Sequence, residues 1–379
     1  MKVLLVCNTG WNLYNFRRPI ARILKEQGYE PVLVSPRDEY VSRLIAEGFR
    51  WIELPMNRRS MNPFKEFVVF WKLLQIYRDE KPVAVHHFTI KCVLYGSIAA
   101  RLSGVRRVIN GITGLGHVFL GKSAILPWVT LAYRFALGGK NTRVIFQNVD
   151  DLGHFEKLGL TGSGTAVLIK SSGVDLQRFS PASASSGGPQ RGSDIPTVLF
   201  AGRLLREKGI YDFIDAAESL KARGVKVRFE VAGECDPGNP STLSEDEIRA
   251  IMDRGIVRFL GRVDQIEENI AASDLVVLPS YREGVPRILL EASAMEKAIV
   301  ATDVPGCRDV VKDGKNGLLV PVRNPRALAD AIERLLENPE LRREMGQEGR
   351  KRVIREFDDR AVAQQTWNVY QDLGIERQI

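Results

Sequence analysis

The stretch Leu275-Val-Val-Leu278-Pro-Ser-Tyr-Arg-Glu283-Gly-Val-Pro286-Arg-Ile-Leu-Leu-Glu291-Ala292 decides the fold of this chain. Its first four residues are apolar without alternation, which is typical of a strand covered on both faces in a parallel sheet. Pro286 suits the first position of a helix, and its ring prevents the helix from extending backwards. The stretch therefore predicts a strand, a loop that carries Glu283, and a helix that carries Glu291.

Similar units extend outward from this stretch in both directions. Strands are predicted at residues 3–6, 31–35, 51–54, 83–87, 107–110, 143–147, 166–170, 197–201, 227–232, 257–260, 275–278, 298–301 and 317–320. Helix-period segments separate most of these strands, and residues 339–374 have a helical period. This alternation predicts an α/β fold with parallel sheets and right-handed crossovers.

A small, polar segment at about residues 180–196 has neither a helical nor a strand period, and it indicates a flexible boundary loop. We expect two Rossmann-like doubly wound domains, at residues 1–170 and 171–379, that face each other across a cleft. The C-terminal helix is a candidate to pack back on the N-terminal domain. Ligands in this architecture bind at the carboxyl ends of the strands.

Charge changes near the same boundary. The first 170 residues contain 24 Lys and Arg and 12 Asp and Glu, a net charge of +12, whereas the remainder has a net charge of −4. A basic half indicates an anionic partner, such as a lipid surface or a phosphate-bearing acceptor. Nucleic acid is disfavoured, because no helix-turn-helix, finger or RNP pattern is present.

Composition argues against several other classes of protein. Hydrophobic residues make up 44% and charged residues 26%, as in soluble globular proteins, and no apolar run is long enough to span a bilayer. The first six residues are predicted to be a core strand rather than a signal peptide. The four cysteines form no C-x-x-C pair and the four histidines lack metal-ligand spacing, so we expect reduced thiols and no metal site.

The loop Gly202-Arg203-Leu-Leu-Arg-Glu-Lys208-Gly209 follows one predicted strand and precedes a helix. Glycine permits a phosphate to approach the backbone, and a helix N-terminus favours negative charge. Arg203 and Lys208 are therefore candidate ligands of one diphosphate, the first bidentate and the second a point charge. The alternative is a solvated basic loop.

Glu283 and Glu291 are candidate binding groups for a sugar and a ribose. Glu283 follows a strand end, and the unsatisfied backbone N–H groups near Gly284 to Arg287, at the helix start, are candidate phosphate ligands. The alternative for Glu283 is a carboxylate that only complements the helix dipole, and for Glu291 a buried capping or ion-pair residue. The apolar surroundings of Glu291 favour function, since burying a carboxylate without a partner is unfavourable.

Two loops of the basic half are further candidates. Gly10, after the first strand, allows the backbone to approach a ligand, although an ordinary strand-to-helix turn explains it nearly as well. The glycine-rich stretch that contains Thr113 and His117 indicates an acceptor-side loop, but a single histidine is more often structural than catalytic.

Basic and aromatic residues alternate at 11–18, 58–64 and 67–77, and apolar residues follow at 126–131. These segments together are typical of a surface that binds anionic lipid. The alternative is that Phe67, Val68, Trp71 and Leu74 form the core face of a helix.

These motifs together resemble the retaining glycosyltransferases of family four, which have the GT-B fold. The resemblance rests on the Gly202–Gly209 loop, the two glutamates of the opening stretch, Lys170-Ser-Ser-Gly-Val-Asp175 with Phe179, Gly306 after Asp303, and Asp313-Gly314 with Asn316-Gly317-Leu318. Three segments are similar to a subgroup that acts on polyprenyl-diphosphate-linked glycans and adds N-acetylgalactosamine in bacterial glycan assembly. They are Tyr14-Asn-Phe-Arg-Arg-Pro-Ile20, Arg59-Ser60 with Asn62-Pro63, and Thr113-Gly-Leu-Gly116.

The resemblance implies a role for each candidate residue. Arg203, Lys208 and Glu283 are the implied catalytic residues, where the two cations neutralise the leaving diphosphate and Glu283 holds sugar hydroxyls. Glu291 would hold the ribose, and Gly10, Gly202, Arg262, Gly284, Val285 and Pro286 complete the donor site. Many relatives place a histidine where this chain has Gly111-Ile112-Thr113, so Thr113, His117 and Arg59 are acceptor candidates.

The implied activity is transfer of a hexose or N-acetylhexosamine from a nucleotide-diphosphate sugar, with UDP the expected nucleotide, to a lipid-linked glycan with retention of configuration. No cofactor and no metal are expected, because no D-x-D-like site follows a strand and two cations are available. The expected location is cytoplasmic, peripheral on the inner face of the cell membrane. The alternatives are a nucleotide-sugar epimerase, a sugar-phosphate synthase, or a non-catalytic nucleotide-sugar-binding scaffold.

Overall fold

The computed structural model describes residues 1–58, 60, 62–114, 126–162, 164–182 and 195–378. Contacts divide the chain into two compact units, of which the first is Met1–Ser172 with Asp359–Ile379 and the second is Gly173–Asp358. The sequence predicts the boundary between the two units at residue 170, whereas the contacts place it after Ser172. After Asp358 the chain returns to the first unit. No helix in the described parts of the chain is long and apolar enough to cross a membrane.

The first unit alternates strands and helices up to residue 168. Its elements are β1 (Lys2–Val6), α1 (Gly10–Asn12), a π-helical segment (Leu13–Arg17), α2 (Arg18–Glu26), β2 (Glu30–Ser35), α3 (Glu39–Ala46), β3 (Arg50–Glu53), α4 (Pro63–Glu80), β4 (Ala84–Phe88), α5 (Ile90–Ser103), β5 (Arg107–Ile112), α6 (Leu126–Leu137), β6 (Thr142–Phe146), α7 (Val149–Lys157) and β7 (Ala166–Leu168).

The second unit repeats this alternation, and a last helix follows it. The elements are β8 (Thr197–Ala201), a 3-10 turn (Arg206–Lys208), α8 (Ile210–Ala222), β9 (Arg228–Ala232), α9 (Glu245–Asp253), β10 (Val257–Gly261), α10 (Ile266–Ala272), β11 (Leu275–Leu278), α11 (Arg287–Ala294), β12 (Ala298–Thr302), α12 (Pro305–Val310), β13 (Leu318–Val320), α13 (Pro325–Glu337), α14 (Pro339–Glu356) and finally α15 (Asp359–Gln371).

Each unit contains one parallel sheet with a reversal of strand order at its centre. The first sheet has the order β3-β2-β1-β4-β5-β6-β7 and the second β10-β9-β8-β11-β12-β13. All thirteen predicted strands are present, and every pairing between them is parallel. The predicted class of two Rossmann-like doubly wound domains is confirmed. In such sheets the loops after the two central strands flank the ligand site.

The central strands are buried because helices cover both faces of each sheet. All four residues of β11 and all five of β8 are buried, as their unbroken apolar sequence predicts. Alternate residues of β11 belong to different clusters, with Leu275 and Val277 in one and Val276 and Leu278 in the other. Each sheet face therefore has its own core.

Helix α15 belongs to the first unit, although it lies at the far end of the chain. Trp367 and Tyr370 are buried in the cluster that contains Val3 and Leu5 of β1. The helical period of residues 339–374 thus covers two helices, which end and begin on either side of Phe357 and Asp358. Residues 183–194 of the predicted boundary loop lie outside the described residues.

Candidate active site

The candidate donor residues follow the two central strands of the second sheet. Strands β8 and β11 are neighbours in that sheet, and they lie where the strand order reverses. The Gly202–Gly209 loop follows β8, and the loop that carries Glu283 follows β11. Two loops that are far apart in sequence therefore leave the same edge of the sheet side by side.

Lys208 and Glu283 contact each other across these two loops. Lys208 Nζ donates to Glu283 Oε1 at 2.5 Å, and Ser280 Oγ donates to the same oxygen at 2.6 Å. The Lys208 and Glu283 side chains are mostly buried. The structure thus brings together two predicted catalytic residues and adds Ser280, which the sequence analysis did not single out.

Gly209 allows the two loops to approach so closely. It has φ of +72°, and a Cβ atom there would lie 2.0 Å from the carbonyl oxygen of Pro279. The amide of Tyr281 donates to the carbonyl oxygen of Glu207 at 2.9 Å, which is a second link between the loops. Only glycine has both the conformational freedom and the small size that this position requires.

Arg203 lies on the β8 loop with more than half of its side chain exposed. Its Nη1 donates to Asp236 Oδ2 at 2.7 Å, and Asp236 is buried. Asn239 Nδ2 donates to the same Asp236 oxygen at 3.2 Å. The guanidinium is therefore oriented by a buried carboxylate while much of it stays open to solvent. Asp236 follows β9 without any spacing signal in the sequence, and the sequence analysis missed it.

The turn before α11 leaves backbone donors free. Helix α11 begins at Arg287, and Pro286 has extended dihedral angles (φ −73°, ψ 118°), so the prediction that Pro286 is the first helical residue is wrong by one position. The amides of Gly284 and Val285 have no acceptor among the described residues. A Cβ atom on Gly306 would lie 1.8 Å from the carbonyl oxygen of Gly284, so close packing against glycine fixes this turn.

Glu291 lies one turn into α11 and has a partner on its own helix. Arg287 Nε donates to Glu291 Oε1 at 3.1 Å, and both side chains are mostly buried. This is the ion pair that the structural alternative for Glu291 expects. Its other carboxylate oxygen has no protein partner among the described residues, which leaves an acceptor for a hydroxyl group.

Arg262 lies further along the same sheet edge, after β10. Its Nε is 3.4 Å from Asp264 Oδ1, and both side chains are exposed. Strand β9 lies between β10 and β8 in the sheet. Arg262 is therefore not among the residues that the structure places against Lys208 and Glu283.

A buried carboxylate supports the site from beneath. Asp212 of α8 accepts a hydrogen bond from the Tyr281 hydroxyl at 3.3 Å, and its second oxygen is buried without a partner. Burial raises the pKa of Asp212 above its usual value. The thiol of Cys307 is also buried, which raises its pKa, and the negative charge of Glu283 acts in the same direction. The buried Cys307 thiol is therefore a packed side chain rather than a nucleophile.

In the first unit, Gly10 occupies a position where a side chain would not fit. A Cβ atom there would lie 2.3 Å from Asp38 Oδ1, and the amide of Trp11 donates to Asp38 Oδ2 at 2.8 Å. A carboxylate of the same unit therefore occupies the space that a side chain at position 10 would need. This agrees with the alternative of an ordinary strand-to-helix turn.

Thr113 lies at the carboxyl edge of the first sheet, beside a cavity of about 320 Å³. The cavity is also lined by Asn8, Arg58, Thr89 and Lys91. Thr89, the residue before α5, has φ of +73°, which is rare for a β-branched residue and typical of functional sites. The acceptor candidates Arg59 and His117 lie outside the described residues.

Two of the histidines are part of the core. His87 contacts Tyr77 Oη at 2.8 Å and Asn110 Oδ1 at 2.9 Å, and His86 contacts Tyr370 Oη at 2.9 Å. Burial lowers the pKa of both, to about 4 for His87. Among the described residues, no group of three His, Cys, Asp or Glu side chains is arranged to hold a metal ion.

Comparisons with known proteins agree with this geometry. The family described as Glycosyl transferase 4-like matches residues 2–148, and Glycosyl transferases group 1 matches residues 187–352. The N,N'-diacetylbacillosaminyl-diphospho-undecaprenol alpha-1,3-N-acetylgalactosaminyltransferase of Campylobacter jejuni is 29% identical over 98% of this chain and 98% of its own.

Solved structures resemble both units at once. The sucrose-phosphate synthase of Thermosynechococcus elongatus has a TM-score of 0.80 at 21% identity, over 99% of each chain. Anabaena HepE in complex with UDP-glucose has a TM-score of 0.80 at 20% identity, over 98% of this chain and 100% of its own. At this level of identity the likeness shows the fold alone. Because the two family matches together span most of both units, the chain belongs to the glycosyltransferases with the GT-B fold.

Proposed function

We propose that this glycosyltransferase moves a hexose or N-acetylhexosamine from a nucleotide-diphosphate sugar, with UDP as the nucleotide, to a lipid-linked glycan with retention of anomeric configuration. The observation that supports the donor half of this proposal is the contact between Lys208 and Glu283. This contact brings a cation and a carboxylate together at the centre of one sheet edge. A diphosphate and its attached sugar need these two groups side by side.

The diphosphate would bind between the two loops. Lys208 and the exposed part of Arg203 supply positive charge, and the free amides of Gly284 and Val285 supply neutral donors. Cations that are already positioned stabilise the charge that develops on the leaving phosphate. Two cations can do the electrostatic work that a metal ion does in other transferases, so we propose a metal-independent reaction.

The sugar and the ribose would be held by the two carboxylates. Glu283 is oriented by Lys208 and Ser280 through one oxygen, so its second oxygen is the acceptor for donor sugar hydroxyls. Glu291 would accept from the ribose through the oxygen that Arg287 does not contact. An ionised carboxylate can only accept hydrogen bonds, and therefore these two groups select hydroxyl donors.

Retention would follow from attack on the same face that the diphosphate leaves. The bond between the anomeric carbon and the phosphate oxygen breaks as the bond to the acceptor oxygen forms, and the acceptor proton moves to the leaving phosphate. No carboxylate is assigned as a nucleophile in this scheme. The transition state then resembles a sugar cation that is stabilised by the departing phosphate.

The lipid-linked acceptor is proposed from the Campylobacter relative, whose name describes a diphospho-undecaprenol substrate. The +12 charge of the first 170 residues supports it, since anionic lipids and diphosphates attract such a surface. The cavity beside Thr113 and Arg58 is the candidate position for the acceptor. We accordingly propose a peripheral location on the inner face of the cell membrane.

A donor panel tests the reaction. UDP-, GDP- and ADP-sugars are incubated with a polyprenyl-diphosphate-linked sugar, a soluble sugar phosphate or no acceptor, and products are read by mass spectrometry and by NMR of the new anomeric centre. Transfer from a UDP-sugar to the lipid-linked acceptor, with retained configuration and undiminished in EDTA, is expected. Exclusive use of the sugar phosphate would favour a synthase, an epimerised nucleotide sugar an epimerase, and donor binding without turnover a scaffold.

A further inference from the structure

Helix α4 exposes large apolar side chains along its outer face. Phe64 is 84% exposed, Phe67 62%, Val68 57% and Trp71 46%. Their spacing of three and four residues places them on one side of the helix. We call these four residues the aromatic ridge. The alternative in which Phe67, Val68, Trp71 and Leu74 form the core face of a helix is wrong for the first three residues, which are exposed. It is correct for Leu74, which is buried.

The fold does not need the aromatic ridge, because α4 packs through its other side. Val69, Leu73, Ile76 and Tyr77 are buried in a cluster with residues of the first sheet. The rings of Phe67 and Trp71 contact each other in a stacked arrangement, 6.4 Å between centroids, and remain open to solvent. A contiguous exposed apolar patch of this kind marks an interaction surface.

Exposed aromatic residues are concentrated in the first unit. Among the described residues, every exposed phenylalanine and tryptophan lies there, whereas the exposed large apolar residues of the second unit are aliphatic. They are Trp11, Phe64, Phe67, Trp71 and Phe135 in the first unit, against Ile195, Met252, Val322 and Ile354 in the second. Tryptophan and phenylalanine are the residues that lie at headgroup depth in membrane-associated proteins.

The positive charge around the aromatic ridge indicates which kind of partner it binds. Lys65 and Lys72 are exposed on the same helix, and the surrounding half of the chain has a net charge of +12. An apolar surface among excess cations is complementary to an anionic bilayer, where ring burial and attraction to headgroups act together. A second copy of this chain would bring like charges together.

The ridge occupies only the first half of α4. The distance along the helix axis from Phe64 to Trp71 is about 10 Å. This length is similar to the depth, about 5–10 Å, to which amphipathic helices bury their apolar face in the headgroup and acyl boundary. Beyond Trp71 the exposed residues are Lys72, Gln75, Arg78 and Asp79. This polarity gradient predicts that the N-terminal end of α4 enters the bilayer more deeply than the C-terminal end.

The first turn of α4 is tied to the cavity that is the candidate acceptor position. Lys91 Nζ donates to the carbonyl oxygens of Asn57 and Ser60 and to Glu66 Oε1, the last at 2.7 Å. Lys91 also lines the cavity beside Thr113. We propose that the aromatic ridge inserts into the headgroup region of an anionic bilayer and holds this cavity at the membrane surface. The proposal relies on the proposed function only for the identity of the acceptor.

Vesicle cosedimentation of the full chain tests the proposal. Vesicles of phosphatidylcholine with phosphatidylglycerol are compared with phosphatidylcholine alone, for the wild type and for the double variant F67S/W71S. The wild type is expected to bind the anionic vesicles. The double variant should bind them with an affinity that is lower by a factor of about ten or more. The matched control M252S/I354S removes two similarly exposed apolar residues from the second unit and should bind like the wild type.

Two further measurements separate the possible outcomes. Brominated lipids should quench fluorescence of the wild type more than that of W71F, which keeps an aromatic ring but lacks the indole. Transfer to a short-chain, water-soluble acceptor should be unchanged in F67S/W71S, so a loss there would point to the reaction and not to the membrane. Equal vesicle binding by the wild type and F67S/W71S would overturn the proposal, and so would a wild-type dimer that this variant converts to a monomer.

Discussion

Lys208 is held by Glu283 at 2.5 Å in a position where a diphosphate is proposed to bind. A lysine with three N–H donors can keep this contact and still donate to a phosphate oxygen. In the proposed site, the same lysine would link the carboxylate that binds the sugar to the diphosphate that leaves. Arg203 differs, because its partner Asp236 is buried while more than half of the arginine side chain is exposed. Lys208 and Arg203 therefore pair with different carboxylates although they lie on one loop.

Replacing Arg203 with alanine should reduce kcat/KM for transfer by about 100-fold or more, because one preorganised cation at the leaving diphosphate is lost. The variant should still fold, because Asp236 keeps its hydrogen bond from Asn239, but the loss of the cation from the buried Asp236 should lower the melting temperature. Steady-state kinetics and thermal unfolding measure the two effects. Arg249→Ala removes another exposed, ion-paired arginine of the same unit and serves as the control. Full activity in Arg203→Ala would refute the diphosphate assignment.

Replacing Gly209 with alanine should destabilise the second unit by about 3 kcal/mol or more, since the new methyl group would meet the Pro279 carbonyl oxygen. Gly255 is the matched control, because it also has positive φ (+61°) but no atom lies within 4 Å of the added Cβ. Gly255→Ala should lose about 1 kcal/mol from the backbone alone. Urea unfolding measures both, and equal losses would show that the Pro279 contact is unimportant.

The resemblance carried by the two loops was sufficient to predict that Lys208 and Glu283 belong to one site, and the structure supplies the reason that they meet, because each follows a strand and those strands are neighbours in the second sheet. The sequence could not identify Asp236 or Ser280 as their partners, since these contacts depend on loop conformation rather than on spacing. Nor could it predict that Asp38, from another loop, takes the space where a side chain at Gly10 would lie.

At the scale of elements, β4 has an unusual content for a buried strand. It carries His86 and His87, both almost fully buried, and each is held by a partner from another element. Tyr77 of α4 and Asn110 of β5 contact His87, while Tyr370 of α15 contacts His86. The two imidazoles therefore join a helix, two strands and the last helix of the chain within one unit.

The buried His87 predicts an acid-sensitive fold. Its pKa is about 4 in the folded state, against 6.5 for an ordinary histidine, so between these values the unfolded chain binds more protons. Stability from this group is present above pH 6.5 and is lost as the pH falls toward 4. The free energy of unfolding of the first unit should decrease by about 2 kcal/mol from pH 7 to pH 5 through His87 alone.

Urea titrations at both pH values measure this decrease. His87→Gln should remove about 2 kcal/mol of the pH dependence, and the part that remains is expected from His86, whose pKa burial also lowers. A free energy of unfolding that is the same at pH 7 and pH 5 in the wild type would contradict the prediction.

The strands were predictable because each is a short apolar run between helix-period segments, and burial on both faces demands that pattern. Helix α4 was less predictable. Its apolar residues lie on two sides, so periodicity alone could not distinguish the buried Leu73 from the exposed Trp71. The break between α14 and α15 was missed for a related reason, since both helices have the same period and differ only in the unit they pack against.

At the scale of the whole molecule, chemistry and charge are divided between the units. Apart from Gly10, the proposed donor residues lie in the second unit, whereas the excess of positive charge and the exposed aromatic residues lie in the first half of the chain. Residues in separate units that share no partner should have additive effects. The donor and membrane functions should therefore be separable by mutation.

Arg203→Ala should bind anionic vesicles as the wild type does, and F67S/W71S should bind UDP with unchanged affinity. The triple variant should show the product of the two losses when transfer to a membrane-embedded acceptor is measured. Calorimetry with UDP and vesicle cosedimentation provide independent readouts. Raising the salt concentration from 0.1 to 1 M shortens the screening length from about 10 Å to about 3 Å and should weaken vesicle binding. Weaker vesicle binding by Arg203→Ala would show that the two functions are coupled.

Helix α15 has a consequence for biosynthesis. The core of the first unit includes Trp367 and Tyr370, which the ribosome adds only after every residue of the second unit. The part of the protein that is translated first must therefore wait, with apolar surface uncovered, while the part translated second can already fold. Nascent chains arrested before residue 359 should thus recruit chaperones through their N-terminal half and release them once this final helix emerges.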